Sequence, residues 1–268
     1  MAVEQATVAE EEYLQTLFWL QEARLVMTGA NLARAMQLSA PTVHEMIGRL
    51  ERDGYITRDV DKAIAFTPVG EAHAEGVVRR HRLIERFLTD VLGIAWDEVH
   101  EEAERLEHAM SPVLEERMRV AIGDAKTCPH GHPIVAGARI EGVPLADVAV
   151  GARVRVLRFE NEAEDLLRYL KASGLAPGLE ATVGVSDADH VVIDAAGARC
   201  VLTTSVAETV SVIADPSPRP ASPCPSTSCS VASATVADRT QAAVGSAGTR
   251  RAVGPAQAAV GSRVPSDW

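Results

Sequence analysis

The sequence predicts a mainly α-helical chain with a small β component: an N-terminal winged helix-turn-helix, a run of longer helices, a small SH3-like β-barrel and a disordered tail. Three observations predict it. Residues 28–70, TGANLARAMQLSAPTVHEMIGRLERDGYITRDVDKAIAFTPVG, read as helix, turn, helix and two short strands. Residues 67–123 keep a helical apolar period, and residues 144–214 switch to the alternation of strands. The boundaries expected from these shifts are 1–70, 71–143, 144–214 and 215–268.

A first helix is expected from about Val8 to Arg24, with Leu14, Leu17 and Phe18 on its apolar stripe. Glu10, Glu11 and Glu12 stand in its first turns, where negative charge is favoured. Ala30, Leu32, Ala33 and Met36 then suit a short helix, and Gln37–Leu38 a tight turn. Ser39 caps the next helix and Pro41 sits in its first turn, where a missing N–H costs nothing. Val43, Met46, Ile47 and Leu50 recur there at i, i+3, i+4 and i+7, a core stripe. Asp53–Gly54 ends it, and Tyr55–Arg58 and Ala63–Thr67 alternate as strands around an Asp61–Lys62 turn.

Helix, turn, helix and wing in this order place the N-terminal end of the second helix in a DNA major groove. Thr28, Ser39, Pro41, Thr42, His44 and Glu45 are the candidate contacts at that end. Arg49, Arg52, Arg58 and Lys62 are candidate phosphate contacts. The competing reading is a helical hairpin and β-ribbon used for protein contacts.

Thr67 and Pro68 cap a long helix that runs through Leu92 to Gly93, and further helices run from about Trp96 to Ala109 and from Ser111–Pro112 to near Gly123. Leu92, Ile94, Trp96, Leu106, Met110, Val113, Leu114 and Met118 exceed what one small domain must bury, so a homodimer interface is expected. Within this stretch VHEEAERLEHAM puts His100, Glu104, Glu107 and His108 on one helix face, and His81 and Glu85 form a second i, i+4 pair upstream. Two helices that aim imidazole and carboxylate groups from one face can enclose a divalent cation, with a donor set suited to Mn²⁺ or Fe²⁺. Taken alone, the same residues also describe a solvated helix face with ordinary i, i+4 pairs. CPHGHPI (Cys128 to Ile134) has Cys-x-His-x-His spacing, but Pro129, Gly131 and Pro133 read first as a rigid connector.

VRVLRF, EATVGV, HVVIDA and ARCVLTTSVAETVSV alternate as five short strands around one helix, Glu162 to Ala172, which points to the small barrel. From Asp215 the chain is rich in Pro, Ser and Ala with few large apolar residues, so disorder is expected.

The net charge of −11 over 268 residues argues against coating nucleic acid through bulk basicity, yet allows a local reader. The N-terminus has neither a basic start nor an apolar run, and no stretch approaches the ~18 apolar residues of a membrane span. The four cysteines form no disulfide-like framework, and a reducing cytoplasm is expected.

SAPTVHEMIGRLERDGYI, RRHRLIERFLTDVLG and VHEEAERLEHAMS followed by CPHGHPI, at these separations, resemble the diphtheria toxin repressor family. That family holds iron-dependent regulators and manganese regulators of the MntR type. The match is close over about residues 7–135 and looser through the barrel, which resembles the SH3-like, FeoA-like domain of longer members. The resemblance implies a metal-dependent, homodimeric DNA-binding repressor of metal-homeostasis genes, not an enzyme. It implies a primary, activating site at Glu12, Glu104, Glu107 and His108, and an ancillary site at His81, Glu85 and His100, completed from the barrel by Glu160 or Asn161. Iron-type members carry Met and Cys where this chain has Glu12 and Glu104, so the resemblance favours Mn²⁺ over Fe²⁺ here. Short manganese-type members carry an acidic residue where this chain has Gln15, so their paired-metal arrangement is not implied.

The expected mechanism is linkage: the cation joins the first helix to the dimerisation helices and fixes the recognition helices at the spacing of successive major grooves. Three alternatives compete: an iron-dependent repressor of the same family, a winged-helix regulator whose barrel senses an organic ligand, and a metallohydrolase. The last lacks a nucleophile motif and a phosphate loop.

Overall fold

The computed structural model describes residues 6–135 and 141–215. The expected tail, 216–268, lies outside the described residues. Thr7 opens α1 (Val8–Glu22) with a capping box, its N–H donating to Glu10 Oε2 at 2.7 Å. The helix stops two residues before the expected Arg24, which turns the chain at a φ of 59°. Leu14 and Leu17 of α1 are fully buried and pack with Leu32 of α2 (Gly29–Ala35) and Val43, Ile47 and Leu50 of α3 (Ala40–Arg52). Thr28 and Ser39 are the N-caps of α2 and α3. The wing is the antiparallel pair β1 (Ile56–Arg58) and β2 (Ile64–Phe66), registered Ile56 to Phe66 and Arg58 to Ile64.

Thr67 caps α4 (Pro68–Leu92), whose first turn runs under the wing. Gly70 is needed there because a Cβ at that position would lie 1.8 Å from the Tyr55 carbonyl oxygen. Gly70→Ala is therefore expected to cost about 3 kcal/mol or more, since backbone rather than a flexible side chain must move. The urea midpoint checks it, against Gly76→Ala, whose nearest neighbour is a flexible Arg80 tip at 3.8 Å.

Leu83, Ile84 and Leu88 of α4 pack with Val99 and Ala103 of α5 (Val99–Glu107) and Met118 of α6 (Pro112–Ala121) in a second apolar cluster. The expected helix from Trp96 starts three residues later: Trp96 turns away to stack on Phe159 at 5.5 Å. Leu92, Leu106, Val113 and Leu114 stay exposed on this helical unit, whereas Met118 is buried inside it.

The C-terminal sheet has the order β3-β8-β4-β5-β6-β7, from β3 (Val143–Pro144), β4 (Arg153–Phe159), β5 (Glu180–Ser186), β6 (His190–Ala195), β7 (Ala198–Thr203) and β8 (Val210–Ala214). It has six strands where five were expected. Two-residue β3 is too short to show a period, and ARCVLTTSVAETVSV is divided by α8 (Thr204–Glu208). The connecting helix α7 (Glu164–Ala172) starts two residues after the expected Glu162 and buries Leu167 and Leu170 against the sheet. Among the described residues, no helix is long and apolar enough to cross a membrane.

Candidate metal centre and DNA-facing helix

α4 and α5 bring two donor groups together because their shared apolar seam leaves the polar stripes facing one side. His81 and Glu85 lie one turn apart on α4 and are buried, and His100 of α5 packs against them. Glu85 Oε1 lies 2.9 Å from His81 Nε2 and 3.1 Å from His100 Nδ1. Glu162, in the turn after β4, closes the group with Oε2 at 3.2 Å from His100 Nδ1. The barrel thus contributes a carboxylate, but not from the expected positions. Glu160 is engaged by Arg158 at 2.7 Å and by the Ser211 hydroxyl, and Asn161 Oδ1 accepts from the Ala163 N–H at 3.0 Å.

Cys128 and His130 also reach this place. Glu85, Cys128, His130 and Glu162 form a second group with donor atoms within 4.8 Å of one another, as do His81, Glu85, His100 and Glu162. The CPHGHPI loop is a turn, as the connector reading expected, with Gly131 at φ 98°, and it brings Cys128 and His130 beside Glu85 and Glu162. The Cys-x-His spacing was the signal.

Electrostatics follow from crowding. Burial opposes charge on His81, but Glu85 and Glu107 outweigh it and raise its pKa to about 9. Burial likewise opposes charge on His100 and His130, and their carboxylate neighbours hold both well above the ordinary value. Burial pushes the Glu162 carboxyl up, and the neighbouring Glu85 with it, but His130, His100 and His132 bring it down to about 2. Glu85 Oε2 remains buried without a hydrogen-bond partner. A divalent cation fits such a place: carboxylate, imidazole and thiol donors converge, and one buried oxygen is unspent.

The other predicted group adjoins this one along the same helices. Glu12, Glu104 and His108 line a cleft of about 500 Å³ between α1 and α5. Glu107 stands behind it, fully buried, with Oε1 at 3.3 Å from His108 Nε2. Gln15 donates to Glu107 Oε2 at 3.1 Å, so the residue that departs from short manganese-type members orients a carboxylate. Unforeseen was Glu11, whose Oε2 takes His108 Nδ1 at 2.7 Å and whose Oε1 takes His73 and Arg80 at 3.1 Å. Burial pushes the Glu11 carboxyl up, but these partners hold it at about 2.

Two imidazoles join the groups. His81 Nδ1 meets Glu107 Oε2 at 2.6 Å while its Nε2 faces Glu85. His100 Nε2 lies 3.4 Å from Glu104 Oε1 while its Nδ1 faces Glu85 and Glu162. Each histidine thereby has one ring nitrogen on either side of the divide.

At the end expected to contact DNA, Ser39, Pro41, Thr42, His44 and Glu45 are exposed along the start of α3, and Thr28 caps α2. The expected phosphate contacts divide. Lys62 at the wing tip and Arg52 are exposed. Arg58 is paired with Glu51, and Arg49 holds the buried Glu10 carboxylate at 2.8 Å, so Arg49 ties α3 to α1.

A winged helix joined to a buried His/Glu centre defines a DNA-binding regulator whose state a divalent cation sets. Comparison with known proteins agrees. Residues 5–64 match the family described as iron dependent repressor, N-terminal DNA binding domain. Residues 67–136 match the metal binding and dimerisation domain of the same repressors, and 143–214 match the FeoA domain. The iron-dependent repressor IdeR of Mycobacterium leprae is 34% identical over 199 residues, 68% of this chain and 86% of that protein. The diphtheria toxin repressor of Corynebacterium diphtheriae is 32% identical over 218 residues, 75% of this chain and 95% of that protein. Among solved structures, a manganese-dependent transcriptional repressor in complex with manganese matches with a TM-score of 0.71 and 31% identity, covering 76% of this chain and 99% of that one. The chain belongs to the diphtheria toxin repressor and IdeR family and is a metal-dependent transcriptional repressor.

Proposed function

We propose that this chain binds operator DNA as a homodimer in the cytoplasm when loaded with Mn²⁺, and so controls metal-homeostasis genes. Glu12, Glu104, Glu107 and His108 hold the activating cation, and His81, Glu85, His100 and Glu162 an ancillary one. The observation that carries the reading is the pair of donor groups on α4 and α5, one open to α1 and one closed by the barrel. The α1-facing group offers carboxylate oxygens and one imidazole, without thiolate or thioether, which suits Mn²⁺ better than Fe²⁺.

A bound cation supplies the positive charge that lets Glu12, Glu104 and Glu107 converge. Glu12 then holds α1 against α5, and α1 carries Glu10, whose ion pair with Arg49 reaches the recognition helix. The orientation of α3 therefore follows that of α1. Exposed Leu106, Val113 and Leu114 supply an apolar face for the second copy, which sets the spacing of the two recognition helices. The coupling is reciprocal: operator DNA raises cation affinity by the factor by which the cation raises DNA affinity. Anaerobic titration of the apo protein on promoter DNA with Mn²⁺ or Fe²⁺ tests it. Binding promoted by Mn²⁺ and weakly by Fe²⁺ is expected, and equally tight binding by apo protein overturns it.

The ancillary group also predicts a pH dependence. His81 keeps its proton up to about 9 in the metal-free chain, so a cation must displace it at neutral pH. Affinity is expected to rise with pH toward about 9, and calorimetry in buffers of different ionisation enthalpy to count the protons released. The raised pKa stabilises the metal-free fold fully below the unfolded value of 6.5, and that contribution is lost as pH rises through about 9.

A further inference from the structure

We propose that Trp19 is a positioning residue of the repressor: its indole carries the state of the buried His81–Glu85–His100 cage into α1, and through α1 to the recognition helix. This rests on the reading of the chain as a cation-dependent repressor with an ancillary group, and it gives a role to a side chain that belongs to neither donor group.

Three rings meet at one place. The Trp19 ring centroid lies 5.6 Å from that of His81, at an interplanar angle of 73°, and 5.8 Å from that of His100, at 42°. The two imidazoles lie 4.7 Å apart, so each ring touches the other two. These separations are those of favoured aromatic contacts. An indole nitrogen carries a proton and donates only, so Trp19 supplies no ligand. Its other contacts run toward the DNA-binding unit: it packs on the apolar cluster that holds Leu17, Leu32, Val43 and Ile47. One side chain thus touches both the ancillary imidazoles and the core beneath the recognition helix.

Position along α1 gives that contact leverage. Glu12, Gln15, Trp19 and Glu22 recur at i, i+3, i+7 and i+10, on one helix face. At the C-terminal end of this stripe Glu22 is tied to the buried Arg82, whose Nη1 donates to Glu22 Oε1 at 3.2 Å and to the Pro133 carbonyl at 3.0 Å. At the other end Glu12 lines the cleft with Glu104 and His108. α1 is therefore anchored at Glu22, and the rings under Trp19 set the angle at which it leaves that anchor. Ligation fixes both imidazoles along their lone pairs, Trp19 follows them, and Glu12 two turns away moves with the helix.

The test uses the full-length chain and promoter DNA, with bound Mn²⁺ counted by electron paramagnetic resonance and DNA binding read by anisotropy. Trp19→Leu keeps an apolar side chain against the winged-helix cluster but removes the ring. It is expected to bind as many Mn²⁺ ions per protomer as wild type and to lose about tenfold of the metal stimulation of DNA binding. Trp19→Phe, which restores a ring, should recover most of that loss. His100→Ala, which opens the ancillary group, should cost a similar factor, and Trp19→Leu added to it should cost no more. Losses that multiply, unchanged stimulation in Trp19→Leu, or a Mn²⁺ ion missing from it overturn the proposal. A second measurement decides the matter even where Trp19→Leu fails to fold. In His108→Ala, which lacks the activating site, closed-shell Zn²⁺ should shift the tryptophan emission, and Trp19→Phe should remove the shift. No shift, or a shift that Trp19→Phe keeps, overturns the proposal. Failure of the repressor reading shows separately, as wild-type DNA binding that Mn²⁺ does not raise, and the proposal falls with it.

Discussion

Replacing His108 or Glu104 by Ala abolishes metal-stimulated operator binding, by about 100-fold or more, while the protein stays folded. The size follows from linkage: stimulation equals the differential affinity of the cation for the DNA-competent arrangement, and these residues face Glu12 across the cleft on which that difference depends. The fold survives because neither side chain belongs to an apolar cluster. The Glu104 side chain is 51% exposed, and its truncation leaves His100 with Glu85 and Glu162. Removing His108 deprives Glu11 of one partner, but His73 and Arg80 still hold that carboxylate at 3.1 Å. Fluorescence anisotropy with and without Mn²⁺, beside a thermal melt of each apo variant, reads both halves. Stimulation retained in both variants would remove these residues from the activating site.

What the sequence made legible is what short-range rules determine. The Val43, Met46, Ile47 and Leu50 stripe, the Ser39 cap and the Thr67–Pro68 start are set by neighbours within one or two turns, and the structure keeps all of them. His81 with Glu85 and His100 with Glu104 could be paired for the same reason, since i, i+4 spacing fixes a shared face. That these faces meet depends on how Leu83, Ile84, Leu88, Val99 and Ala103 pack, which no local pattern encodes. Cys128, His130 and Glu162 sit in loops without a period, and long-range packing alone delivers them. The barrel ligand shows the difficulty. β4 shifts register between Val156 and Arg158, so alternation along the strand stops indicating which later side chain turns toward the helices. Arg49 and Arg58, expected as phosphate contacts from their place near the groove, also pair with Glu10 and Glu51, carboxylates on other elements that no local pattern could name.

Gly131→Ala is expected to cost at least about 3 kcal/mol and to dismantle the loop side of the cage, because strain and collision act together there. Gly131 has φ 98°, a conformation L residues rarely adopt, and an added Cβ would lie 2.0 Å from the Leu157 carbonyl oxygen and 2.7 Å from Arg158 Cβ. Both obstacles belong to β4, which is paired on either side by β5 and β8 and cannot withdraw. The loop must yield instead. Its attachment to β4 is the Phe159 N–H donating to the His130 carbonyl at 3.1 Å and His132 Nε2 donating to the Phe159 carbonyl at 2.8 Å. Those bonds flank Gly131, so a displaced loop loses them together with the placement of Cys128 and His130. Gly93→Ala is the matched control: φ is 74° but nothing lies within 4 Å of the added Cβ, so strain acts alone at about 1 kcal/mol. Denaturant midpoints of the two apo variants measure the difference. A Gly131→Ala variant as stable as Gly93→Ala would mean that the loop relaxes away from β4 at little cost, with the barrel still tied to the helices by Trp96 on Phe159, the Lys171–Asp97 pair and Glu162 beside His100.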